Sequence, residues 1–169
     1  MTHIKGYRFG FPAVQRLGLI DDAETHRIKW NAHEGLEIHY VLRGRFTWEI
    51  RRRRDPLVVP GGYFVIIPAM RDHRAAGETG TPSHRLGVIL EPFSKSIARG
   101  SSLSADELKD VFGTMSAHAL ELRPLTSDIL KCLREMRASM DNFDPDKPDT
   151  AIRLRILSEL LLVETKIAL

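Results

Sequence analysis

The sequence predicts a domain that is mostly β, with α confined to its last third. Two observations carry this reading. Up to about residue 100, short alternating runs of apolar and polar residues are punctuated by Gly and Pro, as strands and tight connections require. After "ARGSSLSADEL" the apolar residues recur every three or four positions, as in helices lying on a core.

Taken in order, the alternating runs place strands at 7–11, 25–33, 36–43, 45–51, 57–59, 63–67, 73–76 and 83–91. Gly44 reads as the turn of one hairpin and Pro60-Gly61-Gly62 as the turn of another, while Pro68 ends the strand before it. Short strands at this spacing indicate a small barrel or sandwich. The first helix opens on Ser104-Ala105-Asp106-Glu107, a capping box whose two ends satisfy each other's free backbone N–H groups. Leu108, Val111, Phe112 and Met115 then form its buried stripe. A second helix spans 127–140, and a third runs from Asp149 to near the last residue. The third is apolar on two sides: Ile152, Ile156, Leu160, Val163 and Ile167 share one arc, and Leu154, Leu157, Leu161 and Ala168 lie nearly opposite. A helix resting on one core needs a single stripe of about 100°. One face is therefore expected on the barrel and the other on a second subunit. Antiparallel pairing through Leu154, Leu157 and Leu161, with Arg153 near the partner subunit's Glu164, is the expected register.

Composition narrows the class. At 169 residues the chain is long enough for one domain with a real core, and its 43% hydrophobic and 28% charged residues are ordinary for a globular protein. No apolar run approaches the roughly 20 residues of a membrane span, and no signal-like segment opens the chain. The single cysteine, Cys132, excludes an internal disulfide and a cysteine zinc site and reads as a buried structural thiol. A cytoplasmic location is the expectation. Residues 1–100 hold 16 Lys/Arg against 10 Asp/Glu, and residues 101–169 hold 9 against 12. That imbalance falls short of a nucleic-acid-binding stripe, and Arg51 to Arg54 read as a solvated turn.

The stretch "KWNAHEGLEIHYVLRGRFTWEI" poses the functional question. Side chains alternate along a strand, so Asn31 shares a face with His33, and Glu37 shares one with His39, opposite Leu36, Ile38 and Tyr40. Such a set could form a metal site, a ligand site or a solvated surface. Phe46, Trp48 and Ile50 share a face of the following run, where aromatic rings could either stack on a ligand or fill the interior.

The spacing Asn31-x-His33-x3-Glu37-x6-Gly44 resembles the first cupin motif, and Gly62-x5-Pro68-x4-His73 resembles the second. The resemblance implies a cupin-like antiparallel β-barrel (double-stranded β-helix or jelly roll) over residues 25–100, with these residues pointing inward. Two positions depart from the motifs: Asn31 replaces the first histidine, and Met70 replaces the glycine between Pro68 and His73. His33, Glu37 and His73 still form a two-histidine, one-carboxylate set suited to a divalent ion. Without metal, the same groups suit a polyhydroxyl ligand.

Over most of its length the chain resembles the N-terminal effector-binding and dimerisation domain of AraC-type transcription regulators. The matching residues are Glu37, Tyr40-Val41-Leu42, Gly44, Pro60-Gly61, Ile67-Pro68 and His73. The resemblance implies a sugar or polyol sensor that performs no chemistry and holds no cofactor. It implies an effector site including Asn31, His33, Glu37, His39, Phe46, Trp48 and His73. An N-terminal arm, residues 1–24, would lay Phe9 across the mouth. The helical segment, residues 101–169, would form a homodimer. DNA would be reached only through helix-turn-helix units that this chain does not contain, and the uncapped apolar end at Leu169 reads as a cut from a longer regulator. The alternative is a metal-dependent cupin enzyme, an isomerase or dioxygenase, using His33, Glu37 and His73.

Overall fold

The computed structural model describes residues 2–22, 29–76 and 82–169. In chain order the elements are β1 (Thr2–Lys5), a 3-10 turn (Gly6–Phe9), β2 (Val14–Asp22), β3 (Glu37–Ile50), β4 (Leu57–Pro60), β5 (Tyr63–Ile67), β6 (His73–Ala75) and β7 (Ser83–Leu90). These are followed by α1 (Ala105–Ala117), β8 (Arg123–Pro124), α2 (Ser127–Asp141) and α3 (Pro148–Ile167). All strand pairs are antiparallel, in the order β1-β2-β7-β3-β5-β8, with β4 and β6 also pairing with β3.

Strand β3 is the spine of the barrel. Its first half pairs with β5 and β7, and its second half with β4 and β6. The crease between the halves is Gly44, at φ +76°. A side chain there would strain the left-handed backbone, and its Cβ would come within 1.9 Å of the Pro82 carbonyl oxygen. The register against β7 slips just before it, between Val41 and Arg43. Gly44 therefore does not turn a hairpin; it lets one strand pass from one sheet to the next. Nor does Pro60-Gly61-Gly62 turn a hairpin. Gly61 N–H donates to the Gly44 carbonyl at 2.7 Å and Gly62 N–H to Val41 at 2.8 Å. The bend matches the crease, and β4 and β5 lie end to end along β3.

Alternation on these strands divides the protein into two cores. Leu36, Ile38, Tyr40, Phe64, Ile66, Leu86 and Val88 face the helices, joined by Leu108, Met115, Leu133 and Leu161. Val41, Phe46, Trp48, Ile50, Val59, Val65 and Ile67 face the barrel interior. Burial on both faces explains why β5 reads "YFVII" without alternation.

The helices form as expected. The capping box on α1 is complete: Glu107 N–H donates to Ser104 Oγ at 3.2 Å, and Ser104 N–H to Glu107 Oε2 at 2.8 Å. Thr126 caps α2 through Ile129 N–H, and Pro148 takes the first position of α3, where its missing N–H costs nothing. Cys132 is buried with its thiol against the Leu157 carbonyl, and burial pushes its pKa up to about 12, as a structural thiol requires. Among the described residues, no helix is long and apolar enough to cross a membrane.

Other expectations from the sequence are corrected as well. Residues 7–11 form no strand: Gly6–Phe9 is a 3-10 turn that leaves Tyr7 exposed and buries Phe9 and Phe11 in the helix-side core. The expected arm contains β2, which carries Gly18 at its centre and pairs along β7, so this segment is built into the sheet. The expected strand at 25–33 falls partly on residues 23–28, outside the described residues; beyond them, Asn31 makes an isolated bridge to His73. The last correction concerns α3. Leu154, Leu157 and Leu161 are buried within this one chain, whereas Ile152, Ile156, Leu160 and Ile167 are exposed. Of the two apolar faces of α3, the one expected on a partner packs into this chain's own core, between the sheet and the other helices.

Candidate functional site

Each site residue is placed by β3 or by a segment bonded to its end. Alternation on β3 turns Glu37 and His39 inward, with Phe46 and Trp48 following on the same side. His73 opens β6 opposite Ile50. Asn31 is held beside His73 by paired backbone bonds of 2.9 Å, and Met70 N–H donates to the His33 carbonyl at 2.7 Å. Residues far apart in the sequence are thereby brought together at one end of the barrel.

Glu37 is the hub. Its Oε1 accepts from His39 Nε2 at 2.8 Å. Its Oε2 lies 2.7 Å from His73 Nε2 and 3.3 Å from His33 Nε2. Burial opposes ionisation of Glu37, but its electrostatic interaction with His39 and hydrogen bonds from His33, His39 and His73 outweigh it and hold the carboxyl well below its ordinary range. His73 answers to the same pair. Burial works against its charge, yet the bond to Glu37 and the Glu37 charge raise its pKa overall. Its Nδ1–H donates to the Arg71 carbonyl at 2.7 Å, so a proton on Nε2 makes it an imidazolium facing a carboxylate. His39 goes the other way, because complete burial lowers its pKa more than Glu37 raises it. A neutral His39 that donates through Nε2 leaves Nδ1 as an acceptor.

Among the buried polar atoms here, His39 Nδ1, an acceptor, and Trp48 Nε1, a donor, have no hydrogen-bond partner among the described residues. Unsatisfied buried groups are few in native proteins and call for an explanation. His39, Phe46, Trp48 and His73 are in ring contact at 4.6–6.0 Å. The rim of the cluster is Asn31, which is exposed, with its Nδ2 3.0 Å from His33 Nε2.

Of the residues singled out in the sequence, Asn31, His33, Glu37, His39, Phe46, Trp48 and His73 gather here. Phe9 lies on the other side of the sheet, in the core with the helices. His84 points outward to an ion pair with Asp21. Two contributors were not legible. Arg85 is buried with its guanidinium 3.8 Å above the Phe46 ring and bonded to Ser83 Oγ. Gly87 makes room for His39, since a Cβ there would lie 3.3 Å from its Cε1. The alternation of β7 could have pointed Arg85 inward, but a buried arginine runs against expectation.

The donor set also fits a divalent cation. Two imidazole nitrogens and a carboxylate oxygen from His33, Glu37 and His73 lie within 4.8 Å of one another. The Arg71 carbonyl fixes the His73 ring as an outer partner of a metal ligand would.

A buried polar cluster at one end of an antiparallel barrel, with helices packed on the outer face, defines a cupin-type domain that binds small molecules. The chain belongs to the AraC-like ligand binding domain family, whose model matches residues 14–161. No curated protein matches the chain. Among solved structures it is similar to a cupin-like protein from Thermotoga maritima, at 20% identity over 53% of this chain and 65% of that one, with a TM-score of 0.42. It is also similar to a cupin superfamily protein from Desulfitobacterium hafniense, at 16% identity over 46% of this chain and 67% of that one, TM-score 0.40. A third is an RmlC-like cupin with a double-stranded β-helix fold from Methanocaldococcus jannaschii, at 10% identity over 46% and 71%, TM-score 0.39.

Proposed function

We propose that this chain is the effector-sensing part of an AraC-type transcription regulator, taking a sugar or similar small polar molecule at the Glu37 cluster without chemistry. The observation that carries the reading is the pairing of a buried acceptor, His39 Nδ1, with a buried donor, Trp48 Nε1, beside a carboxylate held by three histidines. A hydroxyl both donates and accepts, so a polyol can satisfy both orphans at once. Entry is from the Asn31 and His33 rim, and binding requires the Trp48 ring to give way.

The test is a thermal-shift panel of sugars and polyols. An effector at a hundredfold excess over its Kd stabilises the protein by about 2.7 kcal/mol. Glu37→Ala and Trp48→Ala abolish that gain while keeping a cooperative melt. A panel that moves Tm equally in both variants counts against the site.

The proposal includes a homodimer, formed through the exposed face of α3. Ile152, Ile156, Leu160, Val163 and Ile167 form a continuous stripe at helical spacing. In antiparallel pairing, Ile152 meets the partner subunit's Ile167 and Ile156 meets the partner subunit's Val163, with Leu160 at the centre.

A second reading, a metal-dependent enzyme, rests on the His33, Glu37 and His73 donor set. It predicts near one equivalent of a divalent metal in protein purified without chelator, lost on His33→Ala. Finding that metal reverses the order of the two readings.

A further inference from the structure

The four arginines Arg51 to Arg54 stand in an exposed turn after β3. The fold gives them neighbours that sequence spacing hides. The turn before β6 is tied alongside by Arg51 N–H donating to the Asp72 carbonyl at 2.9 Å and by an Arg51–Asp72 ion pair at 2.9 Å, and it brings Arg71. Strand β6 brings Arg74. Trp30 stands against both groups, with the guanidinium of Arg74 4.5 Å and that of Arg51 5.2 Å from its ring centroid. The result is two adjoining clefts, of about 410 and 360 Å³, which share Arg51 and Arg52.

Charge on this face is predominantly positive, with Glu49, Asp55 and Asp72 set against six arginines. Glu49 engages Arg74 and Asp72 engages Arg51. Arg52, Arg53, Arg54 and Arg71 are exposed and make no ion pair among the described residues. Trp30 braces Arg51 and Arg74 by cation–π contact and lines the second of the two clefts. The backbone adds a second, independent mark. Arg52 at φ +66° and Met70 at φ +56° are left-handed without being glycine, one in each turn of the face. Such conformations cost energy and concentrate where function holds them.

We propose that this face binds the phosphodiester backbone of a nucleic acid. The guanidinium fork matches two phosphate oxygens at once, and arginine rather than lysine supplies every cation named here. Two clefts that share Arg51 and Arg52 suit successive phosphates, whereas a lone phosphate ester would occupy only one. The contacts are to backbone alone, so this face positions the chain on nucleic acid and does not read sequence.

The test is fluorescence anisotropy with a 20-base-pair duplex DNA of arbitrary sequence, titrated across salt concentrations. The expected Kd at physiological salt lies in the range of roughly 10⁻⁴ to 10⁻⁶ M and tightens at low salt, with a log–log salt slope of about −3 to −4 for four neutralised phosphates. Combined Arg53→Gln, Arg54→Gln and Arg71→Gln weakens binding more than tenfold and cuts the slope to about −1. The matching Lys variant keeps most of the slope, which separates lost charge from lost folding. Three results overturn the proposal: no duplex binding at low salt, a triple Gln variant that binds as well as the parent, or tripolyphosphate or polyglutamate competing as well as duplex per charge.

Discussion

Glu37 is a buried carboxylate that stays ionised among three histidines, and two of these, His39 and His73, are shifted in opposite directions. For His73 the folded pKa lies above its ordinary 6.5. Its pair with Glu37 therefore contributes fully below pH 6.5 and is lost as pH rises through the folded value. The stability gap between the parent and His73→Gln should be largest near pH 6 and shrink as pH rises above 6.5, read from urea melts at each pH. A gap that grows with pH contradicts the imidazolium assignment. Met70 makes a second residue-scale case. It stands where the cupin motif has glycine, and at φ +56° it takes the left-handed backbone that glycine accepts without strain. Holding an ordinary residue there costs about 1–2 kcal/mol. Met70→Gly should therefore stabilise the protein by up to about 1 kcal/mol, seen as a higher Tm, because its 71% exposed side chain gives up little packing. The departure from the motif was legible in the sequence; that the backbone kept the motif's geometry was not.

At the scale of elements, the sequence was most readable where one local rule acts alone. Ser104 and Glu107 announced the start of α1, and alternation in "EIHYVL" separated Glu37 and His39 from Ile38 and Tyr40. It was least readable where partners lie far off in the chain. Gly44 reads as a turn because a left-handed glycine between two apolar runs usually is one. Only the approach of Pro82 and the bend at Gly61 make it a crease. Strand β2 was missed because Gly18 breaks its pattern, and its partner β7 lies some seventy residues on. On α3, periodicity showed two apolar faces but could not say which one the sheet would claim. The structure answers through Tyr40 and Thr165, whose hydroxyls bond at 2.7 Å and fix the rotation of α3 on β3. A pair of variants follows. Ile156→Asp with Leu160→Asp, on the exposed face, should leave the melt intact and convert a dimer to a monomer on size exclusion. Leu157→Asp should prevent folding, since it buries an unpaired charge. Monomer at every concentration in the parent chain would remove the dimer from the proposal.

For the whole molecule, the proposed function requires an event in the barrel to reach the outer helices, and the two lie on opposite sides of one sheet. Strand β3 is the shared element. Glu37 and His39 face the cluster, while Tyr40, between them and the crease, faces α3 and ends on Thr165. Any shift of β3 that accommodates a guest at His39 moves Tyr40 as well, because neighbouring residues of a strand cannot move independently. Tyr40→Phe isolates this link. It removes one buried hydroxyl while Thr165 Oγ1 keeps its bond to the Leu161 carbonyl at 2.6 Å, so the loss of stability should stay near 1 kcal/mol. On the proposed function, a saturating effector changes the dimer dissociation constant of the parent chain, and by reciprocity dimerisation changes effector affinity by the same factor. In Tyr40→Phe both changes should shrink together while effector affinity for the isolated monomer stays constant. Analytical ultracentrifugation with and without effector measures the first, and calorimetric titration above and below the dimer dissociation constant measures the second. Coupling of unchanged size in Tyr40→Phe would show that the signal travels by another route, through β7 or the 3-10 turn against α3.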